Sequence, residues 1–143
     1  MHYSKIIKGH TSNKWIKNAL ENIRLILIDH AQCEKKAAQS ALSLISKFKE
    51  PKAIDQLSRL VREEMLHFEQ VLKIIDQFGY SFEPIKPSGY GAYLMSCITT
   101  DNAKRLRDQL IIAAIIEARS CERMGLLADS INDTKLQNFY QTL

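Results

Sequence analysis

A chain of 143 residues that is 45% hydrophobic and 25% charged has the apolar content to bury a core, which excludes a disordered or low-complexity protein. No stretch approaches the ~20 uninterrupted apolar residues of a membrane span, and the charged opening Met1–His10 lacks the apolar centre of a signal peptide. The net charge of +4, with basic groups at Lys5, Lys8, Lys14 and Lys17 and at Lys104, Arg105 and Arg107, suits a polyanionic partner such as RNA as well as an ordinary solvated surface.

Five glycines and three prolines fall mostly between Gly79 and Gly91, so long runs lack helix breakers and the chain reads as one all-α domain over 1–143. Residues 1–10 are an irregular or extended lead-in. Thr11 or Ser12 can cap a helix carrying Trp15, Ile16 and Leu20. The helical pattern continues to about Phe48, with a bend before Leu27, on a seam of Ile23, Leu27, His30, Glu34, Ala38, Ala41 and Ile45. Glu50-Pro51 ends it and begins a second helix, with Pro51 at the first helical position. That helix runs to Phe78, with Gly79 as its C-terminal cap. Residues 80–90 hold Pro84, Pro87 and Gly89 and form a loop. Ser88 can cap a short helix to about Cys97, and Asp101 can cap a third long helix to about Asp129. Asn132 or Asp133 caps a last segment, Thr134–Leu143, with Leu136, Phe139, Tyr140 and Leu143 as its apolar stripe.

Each long helix carries polar groups inside its apolar seam. The second reads Leu57, Leu60, Glu64, His67, Val71, Ile74 and Phe78, at alternating spacings of three and four. Glu64 and His67 therefore share one face and can hold one metal ion together. The third reads Leu110, Ala113, Glu117, Ser120, Met124 and Leu127. A buried lone charge is expensive. A lone Glu on a seam is commonly a flanking residue that snorkels to water, and a lone His a hydrogen-bonded core residue. Three carboxylates from three helices, one with a His at i+3, instead match the parts of a carboxylate-bridged di-iron bundle. The candidate ligands are Glu34, Glu64, His67 and Glu117, which should converge, and their acids should repel one another without a cation. His30, one turn before Glu34, is a candidate for orienting it. Glu63 and Glu69 fall off the seam. So does Glu122, two positions past Ser120, which is expected to point outward. Three cysteines, Cys33, Cys97 and Cys121, form neither a C-x-x-C motif nor an even set, which fits a reducing, cytoplasmic setting.

The strings Leu27-Ile28-Asp29-His30-Ala31-Gln32-Cys33-Glu34-Lys35-Lys36, Arg62-Glu63-Glu64-Met65-Leu66-His67-Phe68-Glu69 and Ile116-Glu117-Ala118-Arg119-Ser120-Cys121-Glu122-Arg123 resemble the MiaE family of bacterial tRNA hydroxylases, and the resemblance covers nearly the whole chain. It implies a ferritin-like four-helix bundle holding two non-haem iron ions. It also implies a monooxygenase that uses O2 and two electrons to hydroxylate the isopentenyl group of 2-methylthio-N6-isopentenyladenosine at tRNA position 37. Glu34, Glu64, His67 and Glu117 become iron ligands by motif. The implied partners are the tRNA anticodon loop and an electron donor, with no membrane.

The family's second Glu-x-x-His follows the Phe-Tyr-x-x-Leu string with which this chain closes. The expectation is thus a fourth helix truncated before that pair and a chain inactive as it stands. An uncovered bundle face should then drive self-association or be filled by Tyr3, Ile6 and Ile7. Apolar residues Leu27, Phe68, Ala38 and Ala113 are expected to wall the site. A ferritin- or rubrerythrin-like metal or peroxide protein shares the ligand pattern without an RNA surface, and a non-enzymatic fragment of the family shares the fold.

Overall fold

The computed structural model describes residues 5–142. Among them there are six helices and no strand: α1 Asn13–Glu21, α2 Ile23–Ile45, α3 Pro51–Gln77, α4 Gly89–Ser96, α5 Asn102–Ser130 and α6 Thr134–Thr142. The expected bend in the first helical run is a break at Asn22, whose φ of −129° and ψ of 40° separate α1 from α2. Asn is a residue whose side chain competes for backbone hydrogen bonds. The chain divides there into two compact units, Asn22–Ile85 and Met1–Glu21 with Lys86–Leu143.

The first unit is a helical hairpin. α2 and α3 pack along each other over a core of Leu27, Ile28, Ala31, Ala38, Ala41 and Leu44 from α2 and Val71, Ile74 and Ile75 from α3. Pro51 occupies the first turn of α3, where its missing N–H costs nothing. At the other end Gly79 has φ 68°. Its N–H donates to the Asp76 carbonyl at 2.9 Å and that of Tyr80 to Ile75 at 3.0 Å, a Schellman closure that requires the left-handed conformation glycine adopts freely. One seam position departs from expectation. Leu60 is 39% exposed, and burial on α3 begins in earnest only at Glu64.

In the second unit α1, α4 and α6 each pack on α5. Ser12 caps α1, its hydroxyl accepting from the Trp15 N–H at 3.3 Å, while Thr11 is used elsewhere. Asp101 caps α5 by accepting from Ala103 at 2.9 Å. Asp133 caps α6 by accepting from Lys135 and Leu136, both at 3.0 Å. Ser88 stands at the start of α4 without a side-chain capping bond. Leu136 and Tyr140 are buried on α6 as expected; Leu143 lies outside the described residues, as does Tyr3. Ile6 is 41% exposed.

The phase of α5 differs from the expected one. Its buried residues are Ile112, Ala118, Glu122, Leu127 and Ala128, whereas Leu110, Ala113 and Glu117 are exposed. The run Leu110-Ile111-Ile112-Ala113-Ala114-Ile115-Ile116 is apolar on every side, so its periodicity fits either face. Glu117 and Glu122 thus exchange the inward and outward positions assigned from spacing. Of the acids expected to repel one another, Glu64 is buried, Glu34 half-buried and Glu117 exposed, and Ala113 is exposed too.

Candidate metal centre

Glu34 comes from the middle of α2, and Glu64 and His67 from one face of α3. Each offers a ligand atom, and these atoms lie within 4.8 Å of one another. Donor atoms around a single ion at about 2.1 Å each lie up to about 4.2 Å apart, so small side-chain rotations close the three on one cation. Glu64 is buried at 8% exposure. The side chains of Glu34 and His67 are 13% and 26% exposed, and His67 Nδ1 stands 3.7 Å from Glu34 Oε2. Two carboxylates and an imidazole are an oxygen-rich donor set that suits iron, manganese or zinc, and iron in particular where oxidised states must be stabilised.

His30 stands against Glu34, one turn away on α2. It is buried at 4% exposure, and its Nε2–H donates to Glu34 Oε1 at 2.8 Å. This leaves Oε2 on the side of His67. A ligand carboxylate fixed by a second imidazole is held in rotamer and in charge. Leu27 and Ala38, both buried, supply apolar surroundings on α2. Glu63 and Glu69 are exposed, in agreement with their off-seam positions.

Glu117 belongs to the other unit, on an exposed stretch of α5, where the Cys121 thiol donates to its Oε1 at 3.4 Å. Burial, followed by the neighbouring Glu117 charge, pushes the Cys121 thiol up to about 11, so it stays protonated and unreactive at neutral pH.

Glu122 is the acid that spacing misplaced. The Thr11 N–H donates to its Oε1 at 2.9 Å and the Thr11 hydroxyl to its Oε2 at 2.7 Å. Arg119 Nη1 donates both to Oε2 and, at 3.3 Å, to the Thr11 hydroxyl oxygen. Burial pushes the Glu122 carboxyl upward, but these donors outweigh it and hold the group below its ordinary range. The one sequence signal for this arrangement is Arg119 at i−3, a pair on the same helix face. Its other partner, Thr11, is 111 residues away. Beside it the Arg123 guanidinium lies 4.7 Å from the Trp15 ring and 5.8 Å from that of Tyr90, which ties α1 and α4 to α5 through cation–π contacts.

An all-α chain whose helices gather Glu and Glu-x-x-His on facing sides is a ferritin-like protein with a candidate carboxylate–imidazole metal site. The family profile described as tRNA-(MS[2]IO[6]A)-hydroxylase (MiaE) matches residues 1–143, and the chain belongs to that family. A Pseudomonas putida protein, tRNA 2-(methylsulfanyl)-N(6)-isopentenyladenosine(37) hydroxylase, is 40% identical over 134 residues, covering 93% of this chain and 65% of its own length. The protein of the same name from Salmonella typhimurium is 30% identical over 183 residues, covering 93% of this chain and 67% of its own. A solved structure, Protein 43 with aldehyde deformylating oxygenase activity from Synechococcus, superposes with a TM-score of 0.90 at 42% identity, over 94% of this chain and 67% of that one. The chain thus spans 65% of the P. putida relative. Among the described residues no helix is long and apolar enough to cross a membrane.

Proposed function

We propose that this chain carries the metal-binding part of a tRNA hydroxylase acting on the isopentenyl group of 2-methylthio-N6-isopentenyladenosine next to the anticodon. The observation that carries the reading is the triad Glu34, Glu64 and His67, whose ligand atoms lie within 4.8 Å of one another in a chain of this family. The triad would hold one iron; a second iron, and Glu117 as a further ligand, are what the family string implies. When bound, iron supplies the O2 activation that lets an unactivated C–H bond be hydroxylated. The residues of the chain do the rest. Glu34 and Glu64 supply negative charge, His67 a nitrogen donor, and His30 holds Glu34 by its Nε2–H. The apolar residues of α2 and α3 exclude water. Exposed Lys5, Lys8, Lys14 and Lys17 are the surface offered to a tRNA backbone, in the cytoplasm. The 143 residues hold one Glu-x-x-His pair, so one tightly bound iron per chain is the expected stoichiometry.

A second reading follows from the Synechococcus structure, whose name gives it aldehyde deformylating oxygenase activity. The same centre would then act on an aldehyde. Binding separates the two. The iron-loaded chain should bind an anticodon stem–loop carrying the isopentenylated adenosine more tightly than the unmodified one, and aldehydes weakly or not at all. Equal binding of both stem–loops overturns the tRNA reading, saturable aldehyde binding favours the second, and no iron uptake overturns both.

A further inference from the structure

The segment that follows α3 returns to the helices that carry the triad. After the left-handed turn at Gly79, the Tyr80 ring stacks on Phe78 with centroids 6.1 Å apart. Two residues on, Phe82 meets Phe68 edge to face, at 5.8 Å and 74°. Phe68 directly follows His67. On α2 the Lys35 Nζ lies 5.9 Å from the centre of the Phe82 ring, and Lys35 directly follows Glu34. The next residue, Glu83, forms an ion pair with Arg24 of α2. The strap thus touches both helices of the hairpin, and Phe82 touches each at the residue beside a candidate ligand.

Core burial does not explain this placement, because Phe82 remains 38% exposed. The ring is held by an aromatic edge contact, a cation over its face and a neighbouring ion pair, each a modest interaction. His67 is also the most exposed of the three ligands, at 26% against 13% for Glu34. An apolar ring held against the residues that follow His67 and Glu34 would keep water from that flank and offer apolar surface to a substrate.

We propose that Phe82 is a positioning residue of the metal centre: it walls the flank of the α2–α3 hairpin beside His67, and the Arg24–Glu83 pair is the latch that keeps it there. The proposal rests on the reading of Glu34, Glu64 and His67 as ligands, and the test keeps the two apart. The metal-free chain is treated with diethylpyrocarbonate, and modification of His67 and His30 is followed separately by peptide mass spectrometry. Local opening at the wall predicts that Phe82→Ala raises the His67 rate roughly fivefold while buried His30 keeps its rate. Phe82→Leu should retain most of the protection. Glu83→Arg should raise the rate, and the swap Arg24→Glu with Glu83→Arg should bring it back. Leu42→Ala, which truncates another exposed side chain of α2, should change nothing. An unchanged His67 rate in Phe82→Ala overturns the proposal. So does a rise at His67 and His30 together, which would mean general loosening. Co(II) uptake by the wild-type chain tests the ligands on their own: no uptake, with His67 still unmasked by Phe82→Ala, removes the metal reading and leaves the wall over His67.

Discussion

Glu64 on α3 and Glu122 on α5 are both buried, at 8% and 4% exposure, yet their settings are opposite. Glu122 is met by Thr11 through both its N–H and its hydroxyl, and by the Arg119 guanidinium. Its charge is balanced on the spot. Glu64 shares its site with a second carboxylate, Glu34, and with His67, so its setting gathers two acids around one imidazole. Burial alone therefore says little about what an acid does. An acid among donors is structural, whereas two acids gathered with an imidazole offer a donor set to a cation.

The comparison breaks most easily at Glu122. Glu122→Ala leaves Arg119, with its side chain only 18% exposed, facing a vacated site, and removing one member of a buried pair costs about 3 kcal/mol. Urea unfolding of the metal-free chain should show a loss of that size, with metal uptake unchanged. Glu64 should behave in the reverse way. At a free Fe(II) or Co(II) concentration of 100 Kd the wild-type chain gains about 2.7 kcal/mol. Glu64→Gln should abolish that gain, while its metal-free stability stays at or above wild type because the Glu34–Glu64 repulsion is relieved. Melts with and without metal measure both. A metal-dependent loss in Glu122→Ala, or a metal-free loss in Glu64→Gln as large as that in Glu122→Ala, would erase the distinction.

Why the sequence showed one acid and misplaced the other follows from their partners. Glu64 and His67 are three residues apart on one helix, and Leu57, Val71 and Ile74 phase their face without ambiguity, so the cluster on the hairpin was legible together with nearly every helix boundary. On α5 the phase was not legible, because residues 110–116 are apolar all round and the partner that justifies burying Glu122 is a lead-in residue 111 positions away. Phe82 escaped for a similar reason. It sits in a loop without periodicity, and only the turn at Gly79 brings it back to Phe68. Local spacing reports a helix face, but not which distant group will neutralise a charge on it.

A smaller effect sharpens the comparison through pH. The Glu122 carboxyl is held below its ordinary range in the folded chain. A depressed folded value means that the group stabilises fully above its unfolded value, near 4.3, and that this contribution is lost as pH falls through the folded value. Stability of the wild-type chain should therefore fall on acidification below about pH 5, and Glu122→Gln should lack that part of the fall. Acid unfolding followed by circular dichroism, in the absence of metal, tests it. Superimposable acid limbs would mean that Glu122 is not the linked group.

The smallest expected effect isolates one bond of the Glu122 setting. Thr11→Val keeps the branched shape and leaves the backbone N–H to donate to Oε1. It removes the hydroxyl that donates to Oε2 at 2.7 Å and accepts from Arg119 at 3.3 Å. Arg119 still bonds Oε2 directly, so the carboxylate is not orphaned and the loss should stay near the ~1 kcal/mol of an ordinary hydrogen bond. If the hydroxyl acts through the carboxylate, the loss should shrink in a Glu122→Gln background, where the charge that strengthens the bond is gone. In a Glu64→Gln background it should persist in full. A Thr11→Val effect that is the same in the Glu122→Gln background and reduced in the Glu64→Gln background would place Thr11 with the acids of the candidate metal site, and the two carboxylates would then form one system instead of two.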